Sequence, residues 1–158
     1  MTRTLVACVG NVLRGDDGFG VAVAEQLAAC HDLPSHVDVI ETGIGGMSIV
    51  QQLMDGYDSL VIVDAVDRGA VPGTVFVLQP EVADPSRLSA DEWRSRFTNL
   101  HLAEPSRVLL LARAAGVLPE RVVVVGCQPV CCDEYAERLS PPVQAAVRIA
   151  AAKVRELV

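Results

Sequence analysis

Short runs of consecutive apolar residues recur along the chain, separated by polar and turn-forming residues. Uninterrupted runs of this length are typical of strands that are buried on both faces of a sheet. They predict four strands, over Leu5–Val9, Ser59–Val63, Thr74–Leu78 and Val122–Val125, and a further strand is expected at Val37–Ile40, where Asp38 interrupts the apolar residues.

Between these runs, apolar residues are spaced three and four positions apart, as on one face of a helix. This spacing predicts three helices, over Gly18–Ala29, Gly45–Asp55 and Glu104–Ala115. A last helix is expected to take Ser140 as its N-cap and Pro141 as its first residue. The positions predicted to be buried on that helix are Val143, Val147, Ala150, Val154 and Leu157.

Residues 79–99 are more polar than the rest of the chain. Within them, Ser89 and Glu92 have the spacing of a capping box, and Trp93 and Phe97 are four residues apart. These features predict a short surface helix on a mobile excursion from the main fold.

The alternation of strands and helices predicts an α/β fold. We expect a single domain over residues 1–158 with three layers, in which helices cover both faces of a central, mostly parallel sheet of about five strands. The strand at Thr74–Leu78 follows the third strand with no helix between them. A sheet of mixed direction is therefore expected.

Composition narrows the possible partners of the chain. Among 158 residues there are 20 acidic and 13 basic side chains, which leaves a formal net charge of -7. This balance disfavours nucleic acid and anionic membranes as partners, and no apolar run reaches the length of a membrane span. The five cysteines are odd in number and form no C-x-x-C pair, which is typical of reduced thiols in a cytoplasmic protein.

A glycine-rich stretch, GNVLRGDDGFG, follows the first predicted strand over residues 10–20. It lacks the third glycine of a dinucleotide-binding loop and the lysine of a phosphate-binding loop. Its two adjacent carboxylates, Asp16 and Asp17, would repel a phosphate. Because carboxylates stabilise helix N-termini, one interpretation is that they cap the helix that follows, and we expect this role for Asp16.

Polar side chains collect where the predicted parallel strands end, which is where ligands bind in open α/β sheets. Asp16 and Asp17 follow the first strand, Asp64 and Asp67 follow the third, and His101 precedes a helix. Carboxylates and an imidazole form a site with open positions that suits nickel, zinc, manganese or iron. The alternatives are that Asp64 caps a loop and that His101 is an ordinary surface histidine.

Several motifs in order along the chain together resemble the hydrogenase maturation proteases. They are GNVLRGDDGFG, ETGIGGM, VIVDAVDRGAVPG, a histidine before a leucine-rich helix, VVVVGCQP and LSPPV. The resemblance implies an endopeptidase that removes a C-terminal peptide from the precursor of a nickel-iron hydrogenase large subunit after nickel insertion. It also implies that nickel in the substrate is recognised by Asp17, Asp64 and His101, and only the family motif selects Asp17 over Asp16.

The resemblance leaves the bond-breaking step open. In one scheme, the metal polarises the scissile carbonyl or activates a water molecule. In the other, Asp17 or Asp64 acts as a general base, in keeping with the grouping of this family among aspartic-type peptidases. A non-catalytic metal-site chaperone of the same fold is the alternative function. A monomer is the simplest expectation for the enzyme.

The glycines near the site have two interpretations. Gly43, Gly45 and Gly46 are expected either to let the substrate backbone approach or to form a plain tight turn. The glycines of the 10–20 stretch are expected to let a bulky substrate come close. After the G-x-x-P element, relatives commonly place a glutamate, whereas here Cys131 and Cys132 follow. We expect both to be buried or incidental, and the alternative is a role in substrate contact or redox sensitivity.

Overall fold

The computed structural model describes residues 2–43, 46–98 and 104–158, and a five-stranded sheet forms its centre. The strands are β1 (Thr4–Val9), β2 (Val37–Thr42), β3 (Ser59–Ala65), β4 (Val75–Leu78) and β5 (Arg121–Cys127). Their order is β2-β1-β3-β5-β4, in which every pair is parallel except β4 with β5. The prediction of a mostly parallel sheet of mixed direction is confirmed, and β4 is its antiparallel strand.

Five α-helices accompany the sheet in the described part of the chain. They are α1 (Phe19–Cys30), α2 (Met47–Leu53), α3 (Ala90–Thr98), α4 (Glu104–Ala114) and α5 (Pro141–Leu157). Buried residues of α1 and α5 pack on one face of the sheet, and those of α2 and α4 pack on the other. The three-layer arrangement expected from the sequence is therefore present.

The central strands β1, β3 and β5 are largely apolar because both of their faces are covered. Successive side chains of a strand point to opposite faces, so Val6 and Cys8 of β1 pack with α1 and α5, while Leu5, Ala7 and Val9 pack with α2 and α4. All five of these side chains are at most 8% exposed. The central strands thus contribute to two cores at once.

The last helix begins at Pro141 with Ser140 as its N-cap residue, as predicted. Four of its five predicted core positions are buried, and Leu157 is only partly buried at the helix end. Although α5 extends over 17 residues, no helix in the described part of the chain is both long and apolar enough to cross a membrane.

The polar excursion contains the predicted capping box. The Ser89 N–H donates to the Glu92 carboxylate at 2.7 Å, and the Glu92 N–H donates to the Ser89 hydroxyl at 3.2 Å. Trp93 and Phe97 stack with ring centroids 5.3 Å apart. This reciprocal capping starts α3 where the sequence predicted a helix.

The predicted helix at Gly45–Asp55 is shorter in the structure. It begins at Met47, because Gly46 before it adopts a left-handed backbone with φ of 59° that cannot continue into a helix. It ends at Leu53.

Candidate functional site

The direction in which the chain builds the sheet reverses between β1 and β3. The second strand, β2, lies on one side of β1. The later strands lie on the other side of β1, in the spatial order β3, β5 and β4. At such a switch point the loops that follow the two neighbouring strands turn away from each other and leave a crevice at their carboxyl ends. The loop after β1 contains Asp17, and Asp64 lies near the end of β3.

Glycines of the loop after β1 let the chain pack against itself. A Cβ atom on Gly10 would lie 2.0 Å from the carbonyl oxygen of Asp17. A Cβ atom on Gly20, in the first turn of α1, would lie 2.1 Å from the carbonyl oxygen of Val9 and 2.7 Å from that of Val63. Both glycines therefore have an internal role, since Gly10 makes room for the Asp17 carbonyl and Gly20 lets α1 pack directly on β1 and β3. The expectation that the glycines of the 10–20 stretch let a bulky substrate come close stays a prediction.

Asp16 does not cap α1, contrary to our interpretation of the sequence. Its side chain is buried, and the N-cap residue of α1 is Gly18, with no side-chain capping bond. The carboxylate instead accepts from the Val130 N–H at 2.7 Å, from the Ser140 N–H at 2.7 Å and from the Ser140 hydroxyl at 2.9 Å. It therefore ties the loop after β1 to the segment that joins β5 to α5.

Replacing Asp16 with asparagine is expected to lower the free energy of unfolding by about 1–3 kcal/mol, because an amide NH2 would face N–H and O–H donors. Urea unfolding measures the change. Asp133→Asn is the matched control, since Asp133 is exposed on the same segment. Equal stabilities for the two variants would contradict the clamping role of Asp16.

Asp17 lies in the 3-10 turn Gly15–Gly18 and is only partly buried. One of its carboxylate oxygens accepts from the Asn11 N–H at 3.2 Å, and its backbone carbonyl accepts from the same N–H at 3.1 Å. These bonds hold the side chain beside the end of β1. The structure thus adds a physical reason for preferring Asp17 over Asp16 as a ligand, since the oxygens of Asp16 are occupied by internal donors.

Asp64 is the sixth residue of β3 and is 6% exposed. It is paired in register with Gly126 of β5. Because side chains alternate along a strand, Asp64 lies on the same face as Ile62, which belongs to the core beneath α2 and α4. The hydrogen-bonded strands of the sheet therefore fix the backbone position of Asp64, whereas Asp17 lies on a loop.

Cys132 lies close to both of these carboxylates, which the sequence did not reveal. Burial raises the pKa of the Cys132 thiol to about 12, with further contributions from neighbouring charges. Those charges are, in order of size, Asp17, Asp16, Asp64 and Cys131. Of the two adjacent cysteines, Cys131 is exposed and Cys132 is half-buried beside the site. Neither is fully buried, and the expectation that they are incidental stays a prediction.

Gln128 fixes the loop that follows β3, and its buried position in the GCQP motif was not singled out from the sequence. Its carbonyl oxygen accepts from the N–H groups of Arg68 at 2.7 Å and Ala70 at 3.2 Å. Its NH2 group donates to Asp67 at 2.9 Å. This bond has the largest effect in lowering the pKa of Asp67, and a bond from the Gly69 N–H has the next largest. Asp67 therefore stabilises the loop after β3.

The predicted site residues beyond β2 are only partly covered by the structure. Gly45 and His101 lie outside the described residues. A Cβ atom on Gly46 would lie 2.0 Å from Cγ2 of Val108, so the close approach at this glycine is to α4. At Gly43, by contrast, a Cβ atom would meet no other atom within 4 Å, so this glycine borders open space.

A cleft of about 510 Å³ lies between the loop after β1 and the end of β2. Its walls include Asn11, whose N–H donates to Asp17, together with Glu41, Thr42 and Gly43. The Asp17 carboxylate is thus bonded to one of the residues that line this cleft. In the described part of the chain, no group of three or more histidine, cysteine, aspartate or glutamate residues is arranged to hold a metal ion.

Comparison with known proteins gives one consistent result. The family described as "Hydrogenase maturation protease" matches residues 21–156. The hydrogenase expression/formation protein HupD of Rhodobacter capsulatus is 35% identical over 156 residues, which cover 98% of this chain and 71% of that protein. The hydrogenase 2 maturation protease of Escherichia coli is 31% identical, over 96% of this chain and 88% of that protein.

Solved structures agree with these sequence relatives. The hydrogenase maturating endopeptidase HybD of Escherichia coli superposes with a TM-score of 0.74 at 30% identity, over 96% of this chain and 89% of that one. A hydrogenase 2 maturation peptidase from a Thaumarchaeota archaeon has a TM-score of 0.68 at 32% identity, over 98% and 97% of the two chains. The α/β fold is therefore shared with these peptidases.

Proposed function

The chain belongs to the hydrogenase maturation protease family, and we propose that it removes a C-terminal peptide from the precursor of a nickel-iron hydrogenase large subunit after nickel insertion. It is a hydrogenase maturation endopeptidase by its family and by the relatives of known structure. The dependence on nickel is our proposal. The observation that carries it is the placement of Asp17 and Asp64 at the ends of two neighbouring strands.

We assign the contact with the substrate's nickel to Asp17, Asp64 and His101. Two carboxylates and one imidazole are donors that suit a borderline divalent ion. Three ligands leave positions for groups that the substrate itself supplies, so the enzyme can share an ion that arrives with its substrate. His101 comes three residues before α4, and the first turns of α4 pack against Gly46 at the same edge of the sheet.

Hydrolysis then needs an activated water molecule next to the scissile carbonyl. When bound, the nickel ion supplies Lewis acidity that polarises this carbonyl or the water. The alternative is that Asp17 or Asp64 takes the proton from water as a general base, which would make the enzyme aspartic in type. In both schemes the carboxylates must be ionised, and Asp17 is the more accessible of the two.

The cleft beside Asn11 is our candidate for the path of the substrate backbone. Gly43 borders this cleft and has open space where a side chain would lie. This supports an approach of the substrate at Gly43, whereas Gly46 is already explained by its contact with α4. The proposed role of Gly45 rests on the motif alone.

A non-catalytic metal-site chaperone of the same fold is the weaker alternative, because the named relatives are proteases and endopeptidases. We further propose that the enzyme acts as a monomer in the cytoplasm. The five cysteines are all free, as is usual in a reducing compartment.

The test uses a hydrogenase large-subunit precursor prepared with and without nickel. We expect intact-mass spectrometry to show the loss of one C-terminal peptide in the nickel-loaded sample alone. Cleavage of both samples would contradict nickel recognition. An unchanged mass in both, with the cognate precursor, would contradict the proposed function itself.

A further inference from the structure

Large exposed apolar side chains are concentrated at one edge of the described structure. Nine such residues are exposed, and six of them lie at or next to the carboxyl ends of the parallel strands. These six, which we call the carboxyl-edge rim, are Val12, Leu13, Met47, Val71, Val130 and Tyr135. The other three, Met54, Val77 and Ile149, lie elsewhere on the surface.

The loops that present the rim are bonded to one another. The Ala136 N–H donates to the Leu13 carbonyl at 3.1 Å, and the Gly15 N–H donates to the Ala136 carbonyl at 2.8 Å. On the other side, the Gly73 N–H donates to the Gln128 carbonyl at 2.8 Å. The exposed side chains of the rim therefore stand on a connected framework, which lowers the entropy lost when a partner binds.

The same edge also carries most of the excess negative charge of the chain. Its segments 10–18, 41–43, 64–73 and 128–140 contain eight acidic and three basic residues, against a net charge of -7 for the whole chain. Asp16 and Asp64 are buried, so six acidic and three basic side chains of this edge are accessible to a partner. A surface that is both apolar and acidic favours a partner whose contacting surface is apolar and net positive.

We propose that the carboxyl-edge rim docks the folded body of the hydrogenase large-subunit precursor, through an apolar, net-positive surface around its nickel site. This inference rests on the proposed function, because the rim surrounds the carboxylates that are to meet the substrate's metal. A second copy of the chain fits poorly, since two rims of the same charge would repel each other. Docking of the folded body adds to the recognition of nickel and of the cleaved segment.

The experiment measures the binding of nickel-free precursor, which is not cleaved under the proposed function. In the rim variant, Val130→Ser is combined with Tyr135→Ser, since both side chains are more than half exposed. The matched control combines Met54→Ser with Ile149→Ser, which are similarly exposed but outside the rim. We expect Kd to rise about tenfold in the rim variant, as for a tyrosine-centred interface, and to stay within twofold in the control.

Equal Kd values for parent, rim variant and control would overturn the docking proposal, as would no detectable binding by the parent. Self-association of the parent that the rim substitutions abolish would also overturn it, in favour of a dimer.

Replacing Glu134 with glutamine is expected to slow the association of the enzyme with the precursor at low salt and to leave it unchanged at high salt. Cleavage of nickel-loaded precursor by the parent is scored separately, so failure of the proposed function is distinguished from failure of docking.

Discussion

Replacing Asp64 with asparagine is expected to lower the rate of precursor cleavage by on the order of 10²–10⁴-fold while the protein stays folded. Asparagine has nearly the same shape, so packing around this side chain, which is 6% exposed, is preserved while its negative charge is lost. Asp17→Asn and His101→Ala are expected to act in the same direction, because all three residues are assigned to one ion. Single-turnover cleavage of nickel-loaded precursor measures the effect.

The matched control is Asp91→Asn, because the Asp91 side chain is 95% exposed on α3. We expect it to cleave at the parent rate, and circular dichroism to show that every variant is folded. A full cleavage rate in Asp64→Asn, Asp17→Asn and His101→Ala would show that the assigned site is wrong.

The same variants separate the two chemical schemes. A residue that only holds the metal is needed for tight binding of nickel-loaded precursor, so its loss should weaken that binding and leave the binding of nickel-free precursor unchanged. A residue that acts only as a general base is needed after binding, so its loss should lower kcat with little change in KM. Comparing Asp17→Asn with Asp64→Asn in both assays therefore assigns each carboxylate its role.

Patterns within single segments predicted most of the fold. The apolar runs of the central strands follow from a sheet covered on both faces, and the spacing in the last segment predicted the buried side of α5. The capping box at Ser89 is likewise local, because both of its bonds lie within four residues. Such features depend on short-range geometry, which a sequence displays directly.

Long-range contacts are what the sequence did not display. Asp16 binds partners 114 and 124 residues away, so its local setting before α1 suggested a cap that does not form. Cys132 comes near the carboxylates because the segment after β5 pairs with the loop after β1, through a bridge between Arg14 and Ala136. No motif spacing encodes that pairing.

The candidate site was predicted to a different extent for each residue. The positions of Asp17 and Asp64 near the ends of adjacent strands follow from the order of the sheet, and the apolar runs alone located those strand ends. The choice of Asp17 over Asp16 needed the family motif and has a structural reason only once the bonds to Asp16 are known. The role of His101 remains a prediction, since it lies outside the described residues.

Replacing Gly20 with alanine is expected to lower the free energy of unfolding by about 3 kcal/mol, the upper end of the usual cost of overpacking. The new methyl group would lie 2.1 Å from the carbonyl oxygen of Val9 and 2.7 Å from that of Val63, and neither backbone atom can turn aside. To relieve this contact, α1 must move away from β1 and β3. Because Asp17 lies two residues before α1, the cleavage rate should fall together with stability.

The matched control for this steric effect is Gly43→Ala, since a Cβ atom there meets no atom within 4 Å. Its unfolding free energy should stay within about 0.5 kcal/mol of the parent, as for surface substitutions in general. Any effect of Gly43→Ala on KM without loss of stability would support an approach of the substrate at that position. Equal unfolding free energies for Gly20→Ala and Gly43→Ala would mean that α1 can move away from β1 and β3 with little loss of stability. The close packing of α1 on these strands would then not be what positions Asp17.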